Sequence, residues 1–280
     1  MHPAIKSGNV AVITGGASGI GLALAQLYAK QGLRVAVGDS DDSALRAVPN
    51  GIEALPVDVT SKESLASFRD AIATKFPGKP ISILHANAGV GGPTKASDPE
   101  GWERIMNVNF HGVVNTVHTF LPLIKQGGQP ALICNTGSKQ GITTPPGSGA
   151  AYNISKAATK VFTEQLAHEL RQDEVTKGNI SVHLLIPGWV HTGLTGAKSG
   201  KAKPEGAWSA EQTADFCLEK INKSRDAFYV LCPDNDTPTA LDQARMEYNV
   251  NDIIQDRPAL SRWHPDYESQ YAQFIKSKGL

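Results

Sequence analysis

Tyr152 and Lys156 stand four residues apart in Tyr152-Asn153-Ile154-Ser155-Lys156, inside a long, alanine-rich amphipathic stretch. Positions i and i+4 share one helix face, so this spacing sets an ammonium beside a phenol. A free tyrosine has a pKa of about 10, and a fixed positive neighbour favours the phenolate. Bringing such a phenol near neutrality takes about 4 kcal/mol of differential interaction. A tyrosine in that setting can exchange protons with an alcohol or a carbonyl. The same spacing also arises as a half-buried ring and a solvated amine, so its meaning depends on what the rest of the chain supplies.

The positioning elements follow from hydrophobic periodicity. Short apolar runs predict strands at 9–14, 33–38, 52–57, 81–86, 131–135, 180–186 and 228–231. Between them, helical periods predict helices at 20–31, 65–75, 102–124 with a boundary or bend near Pro122, and 150–172 for the Tyr/Lys helix. Thr60-Ser61-Lys62-Glu63 and Ser209-Ala210-Glu211-Gln212 both fit capping boxes at helix starts. Strands alternating with helices predict an α/β protein: a doubly wound, parallel sheet of about seven strands, with helices on both faces. The uninterrupted runs Ala11-Val12-Ile13 and 182–186 suit strands buried on both sides. Residues 1–232 read as one domain, and 193–206, rich in Gly, Lys and Ala, as a mobile loop over a substrate. Residues 233–280 form an extension too aromatic and apolar for disorder, packed on the same domain or on a neighbouring subunit.

The chain of 280 residues carries 27 acidic and 27 basic side chains, a balance that points to no nucleic-acid or membrane-surface partner. Cys134, Cys217 and Cys232 are scattered, without metal-ligand spacing or a disulfide framework, and His85, His111, His118, His168, His183 and His191 form no metal pair at ligand spacing on a predicted helix. No metal is expected. Residues 1–8 are polar, and no run is long enough to span a membrane, so a reducing cytoplasm is the expected location.

Thr14-Gly15-Gly16-Ala17-Ser18-Gly19-Ile20-Gly21 lies between the first strand and the first helix. Glycines 15, 19 and 21 permit a tight turn and a close approach by a phosphate, which the helix N-terminus would receive. Asp39, eighteen residues after Gly21, ends the second strand. A carboxylate there accepts hydrogen bonds from an adenosine ribose and repels a 2′-phosphate. No Arg or Lys lies between Gly15 and Gly21 or directly after Asp39. NAD is therefore expected over NADP. The competing use of Asp39, capping the next helix, is open to Ser40, Asp41 and Asp42 instead.

With these pieces in place, the chain resembles the short-chain dehydrogenase/reductase family, of the single-domain type with a Rossmann-like fold. The glycine loop resembles the family's Thr-Gly-x-x-x-Gly-x-Gly, and the resemblance implies cofactor contacts at Gly15, Ser18, Gly19, Ile20, Gly21 and Asp39. Asp58-Val59 resembles the pair that meets the adenine, and Asn87-Ala88-Gly89 the Asn-Ala-Gly that ends the fourth strand. Pro187-Gly188-Trp189-Val190-His191-Thr192 resembles the segment at the nicotinamide, which implies contacts from Pro187, Gly188, Val190 and Thr192. Val108-Asn109 resembles the segment of the catalytic asparagine, with Asn107 a neighbouring alternative. Ser138 resembles the catalytic serine, with Thr136, Thr143 and Thr144 as rivals. Tyr152 and Lys156 match the Tyr-x-x-x-Lys.

The resemblance implies reversible hydride transfer between NAD and an alcohol/carbonyl pair. Tyr152 would be general acid/base, Ser138 would hold the substrate oxygen, and Asn109 would fix a water linking Lys156 to solvent. Lys156 would hold the nicotinamide ribose and favour the tyrosinate. It also implies a homodimer or homotetramer, built on the Tyr/Lys helix with its small residues Ala150, Ala151, Ala157, Ala158 and Ala167. Expected substrate walls are Gln140 to Thr144, Trp189, and the 193–206 loop with Trp208, suited to an apolar or ring-bearing small molecule. No carboxylate-binding arginine stands out, because the loop's cations are lysines. Two other readings use the same platform: an NAD-binding regulator without turnover, and an epimerase or lyase that keeps its NAD bound.

Overall fold

Seven parallel strands form one sheet in the order β3-β2-β1-β4-β5-β6-β7. They are β1 (Val10–Thr14), β2 (Arg34–Asp39), β3 (Ile52–Pro56), β4 (Ile81–Ala86), β5 (Ala131–Thr136), β6 (Ile180–Ile186) and β7 (Tyr229–Leu231). The structure is a computed structural model that describes residues 1–176, 178–197 and 202–280. The helices are α1 (Gly19–Lys30), α2 (Asp42–Arg46), α3 (Lys62–Lys75), α4 (Pro99–Met106), α5 (Gly112–Gly127), α6 (Gln140–Thr143), α7 (Ala150–Gln172), α8 (Ala210–Lys223), α9 (Thr239–Ile254) and α10 (Glu268–Ser277).

The strands are buried on both faces, as their apolar runs require. Along β1, Ala11 and Ile13 join a core with α1 and α8, while Val10 and Val12 join a second core with α3, α5 and α7. That split is the two-residue period of a strand. In the second core Phe68 of α3 meets Phe120 of α5 edge-to-face, with ring centroids 5.9 Å apart. Because every connection is a crossover, the C-terminal ends of all seven strands lie along one edge of the sheet. The chain order reverses between β1 and β4, and there the loops diverge and leave a crevice.

Two local expectations are corrected. The helix foreseen over 102–124 is α4, a π-helical turn (Asn107–His111) and α5, and it continues past Pro122 to Gly127. The box foreseen from Thr60 does not form: Ser61 caps α3 by accepting from Ser64 N at 3.1 Å, and Glu63 accepts from the Ser61 hydroxyl. Thr60 instead donates both its N–H and its hydroxyl to Asp58. The loop expected over 193–206 is described only in part. Residues 193–195 form a 3-10 turn closed by a Thr192/Thr195 capping box, and residues 198–201 lie outside the described residues. The box at Ser209 and Gln212 forms with both reciprocal bonds.

Residues 233–280 fold back on the same chain. Tyr248 of α9 is buried between Tyr271 and Phe274 of α10, with centroids 5.0 and 5.2 Å away, under the guanidinium of Arg257 at 4.1 Å. Asn249 Nδ2 donates to the Ile142 carbonyl at 3.3 Å, which seats α9 against α6. Among the described residues no helix is long and apolar enough to cross a membrane.

Candidate active site

One cavity of about 1160 Å³ runs along the C-terminal edge of the sheet. Every residue expected to meet a cofactor or do the chemistry lines it, except Gly21 and Asn109, which stand directly behind its wall.

At one end the glycine loop is shaped by close backbone contacts. Gly15 has φ +62°, and a Cβ there would fall 2.6 Å from Ala88 Cα. A Cβ on Gly21 would fall 2.2 Å from the Gly15 carbonyl oxygen, so α1 can only start this close to the loop with glycine. No side chain caps α1, and its first N–H groups and positive dipole end open toward the cavity, the arrangement that receives a phosphate. Asp39 stands at the end of β2, accepting from Ala17 N at 3.2 Å and from Asp41 N at 3.1 Å. Asp41, accepting from Ser43 N and Ala44 N, is the cap of α2, which leaves Asp39 for the cavity. Asp58 and Val59 line the same end.

Asn87 ties the middle together. Its Nδ2 donates to the Gly15 carbonyl at 3.0 Å, and its Oδ1 accepts from the Thr136 hydroxyl at 3.0 Å. Its backbone N–H reaches Thr14 Oγ1 at 3.2 Å. The loops after β1, β4 and β5 are thereby locked in one arrangement.

At the other end α7 presents Tyr152 and Lys156. Thr94 Oγ1 accepts from Ala151 N at 3.0 Å and caps the start of α7, after the left-handed Gly149. The Ser138 hydroxyl accepts from Gln140 N at 3.2 Å and faces the Tyr152 phenol across the cavity end. Lys156 is buried, and its Nζ donates to the Thr136 carbonyl at 2.8 Å and lies 5.8 Å from the centroid of the Tyr152 ring. Burial holds the Lys156 pKa down to about 8. Burial also raises the Tyr152 pKa, against a smaller lowering by the neighbouring Ser138 hydroxyl. This corrects the expectation from spacing alone, in which the ammonium lowers the phenol. Lys156 is committed to the strand carbonyl, and desolvation of the ring outweighs any attraction.

Asn109 is fully buried in the π-helical turn. Its Oδ1 accepts from Val90 N at 2.8 Å, and its Nδ2 donates to Val90 O at 2.9 Å and to Ser155 Oγ at 3.2 Å. The extra residue of a π turn places this amide against the loop after β4. A Cβ built on Gly89 would sit 3.5 Å from Asn109 Oδ1 and 3.6 Å from Lys156 Nζ, so that glycine lies between the two groups. Thr192 packs against the dinucleotide end, 3.2 Å from where a Gly19 Cβ would be.

The glycine cradle, the open helix N-terminus and the acid at the end of β2 therefore fit a dinucleotide at the end of the cavity away from Tyr152. The family model described as short chain dehydrogenase matches residues 9–203. The chain belongs to that family. A 3-oxoacyl-[acyl-carrier-protein] reductase of Thermotoga maritima is 32% identical over 206 residues, 70% of this chain and 80% of that one. A solved short chain dehydrogenase/reductase from Burkholderia phymatum, in complex with NAD, superposes with a TM-score of 0.76 at 29% identity, covering 90% of this chain and 96% of that one. An alcohol dehydrogenase from the archaeon Thermococcus sibiricus, complexed with 5-hydroxy-NADP, gives 0.69 at 25% identity, covering 80% and 95%. This short-chain dehydrogenase is thus a member of an oxidoreductase family that uses nicotinamide cofactors.

On the substrate wall the sequence expectations need revision. Trp189, Gln140 and Thr143 line the cavity, but Trp208 does not; it packs edge-to-face on Phe216, centroids 5.6 Å apart, over the core. Arginine is present after all: Arg104, Arg245 and Arg262 line the cavity. Arg245 and Arg262 come from the extension, far in sequence from the family's motifs, and no local pattern gives them away. Lys139, next to Ser138, reaches Asp234 at 3.1 Å and Asp242 at 2.5 Å and so joins the extension to the loop after β5. Gly188 permits that ion pair, since a Cβ there would fall 2.3 Å from Asp234 Oδ2 and 2.7 Å from Lys139 Nζ. Among the described residues there is no metal-binding cluster.

Proposed function

We propose that this short-chain dehydrogenase interconverts a secondary alcohol and a ketone, or a primary alcohol and an aldehyde, with NAD and with Tyr152 as general acid/base. The observation that carries the reading is the Tyr152–Ser138 hydroxyl pair, set at the cavity end beside Lys156 and opposite the glycine cradle. NAD, when bound, takes up or returns the hydride. Tyr152 takes the hydroxyl proton in oxidation and returns it in reduction. Ser138 holds the substrate oxygen within reach of the phenol. Lys156 would offer a donor to the nicotinamide ribose and Thr192 one to the carboxamide. Asn109, whose side-chain N–H groups are already spent on Val90 and Ser155, acts by holding the wall behind Gly89. Any water it holds takes the free lone pair of Oδ1.

Asp39 supports NAD over NADP, because its carboxylate stands where a 2′-phosphate would add a like charge. The exposed α7 side chains Ile154 and Val161, with small Ala157 and Ala158 between them, support a homo-oligomer built on that helix. Three buried free thiols suit a reducing cytoplasm.

A panel of secondary alcohols and ketones, followed by NADH absorbance and repeated with NADP, tests the reading. Turnover with NAD, at least tenfold better than with NADP, is the expected result. Tight NAD binding with no substrate turned over would favour a regulator. Conversion without net NADH change would favour an epimerase or lyase.

A further inference from the structure

Among the described residues, Arg245 and Arg262 line the cavity with no carboxylate of their own in ion-pair contact, and the acid acting on both, Asp242, is shared with Lys139. The two carboxylates on that wall, Asp234 and Asp242, are both engaged by Lys139. Asp234 also accepts from Trp189 N at 3.1 Å. Arg245 lies one helical turn beyond Asp242 on α9; its Nη1 donates to Thr237 Oγ1 at 3.1 Å, and its Nε is buried with no hydrogen-bond partner. The Arg262 guanidinium lies 4.7 Å from the centroid of Trp263 and 5.2 Å from that of Tyr271. Among the described residues neither arginine forms an ion pair with a carboxylate.

Both guanidiniums are partly removed from water and each feels the other. Arg262 is held below the usual arginine range first by burial and then by the Arg245 charge, against favourable contributions from Tyr271 and Asp242. Three cations, Lys139, Arg245 and Arg262, thus share the two carboxylates Asp234 and Asp242, and a bound anion would offset the excess positive charge. Arginine is suited to this task, because its planar fork meets a carboxylate or a phosphate with two parallel hydrogen bonds.

We infer that Arg245 and Arg262 form an anion subsite that takes a carboxylate or a phosphate monoester at the end of the substrate away from the reacting carbon. This rests on the oxidoreductase reading above and names the substrate class: a hydroxy or oxo compound with a terminal anion, not a neutral alcohol. It also gives the extension a purpose. Residues 233–280 lie beyond the family match at 9–203, and through Lys139 and Asp242 they reach the residue next to Ser138.

The test uses the full-length protein with NAD and three probes: 2-butanol, 3-hydroxybutanoate and 3-hydroxybutyl phosphate. NADH formation gives turnover. Quenching of tryptophan fluorescence gives binding, since Trp189 and Trp263 line the cavity. An anionic probe should exceed 2-butanol at least tenfold in kcat/KM, and whichever anion wins identifies the source. Arg245→Gln and Arg262→Gln should each reduce that preference at least tenfold, chiefly through KM, and Arg→Lys should restore part of it. Thermal melts check that each variant is folded. Equal use of the neutral alcohol, or an unchanged preference in both Gln variants, would overturn the subsite. If no probe is turned over but anion quenching saturates and is lost in the variants, the subsite stands and the dehydrogenase reading fails. Neither turnover nor anion quenching would overturn both.

Discussion

Lys156 occupies a position that costs the fold. Its amine is buried and its pKa lies near 8, below the 10.5 of a free lysine. The folded-state value is the depressed one, so between about pH 8 and 10.5 the unfolded chain holds this proton more tightly. Stability contributed by this group therefore rises with pH across that window, and below pH 8 the full penalty applies. Lys156→Met keeps the length, removes the charge and gives up one hydrogen bond to Thr136. It should stabilise the protein by roughly 1–3 kcal/mol at pH 7, with the advantage vanishing by pH 10.5, while turnover falls steeply. Urea denaturation at a series of pH values measures this, and a variant less stable than wild type at pH 7 would contradict it. Proximity in sequence announced the Tyr152/Lys156 pair, but its electrostatics could not be read there. The i, i+4 spacing says that two groups share a face; it does not say that one of them turns to a strand carbonyl and that burial dominates both.

Among the elements, the π-helical turn at Asn107–His111 has the most consequence for the site. It aims Asn109 inward, where three hydrogen bonds fasten the loop after β4 to α7. Asn109→Ala leaves the Val90 backbone groups and Ser155 short of partners and should destabilise the protein by about 1–3 kcal/mol. Asn107→Ala, at the start of the turn, should cost much less. Equal effects in a paired thermal-denaturation experiment would show that Asn109 is not the tether. The strands and most helices could be foreseen because each carries its own period: fully apolar runs for buried strands, alternate turns for the helices. The π turn could not, since one extra residue in a helix leaves no mark on hydrophobic periodicity. The shift of the α3 cap from Thr60 to Ser61 was equally hidden, because Asp58 competes for the Thr60 donors.

Across the whole molecule, the site is assembled from parts that are distant in the chain. The glycine loop, Asn87, Ser138 and Tyr152 belong to motifs whose order could be recognised, so the residues that line both ends of the cavity could be named in advance. Arg245 and Arg262 were not, because their approach depends on how α9 docks on α6, and that docking rests on dispersed contacts such as Asn249 with Ile142 and Lys139 with Asp242. The outer face of α7 poses the remaining question at this scale. Ile154 and Val161 are about half exposed on a helix otherwise committed to the site. Multi-angle light scattering at micromolar concentration should return a dimer or a tetramer, and Val161→Glu should shift it toward the monomer. A wild-type monomer under those conditions would rule out the α7 interface. If the assembly forms, it stiffens the helix that holds Tyr152 and Lys156, which links quaternary structure to the chemistry.

The most direct measurement is a comparison of wild type and Tyr152→Phe in two assays on the same preparation: NADH formation from the best alcohol of the panel, and NAD affinity by fluorescence titration. The substitution removes one oxygen and leaves the half-buried ring in place. The account predicts turnover at least a thousandfold lower with NAD affinity within a few-fold of wild type. Wild-type turnover in Tyr152→Phe would contradict it, because the proton would then be travelling by a route that does not include this phenol.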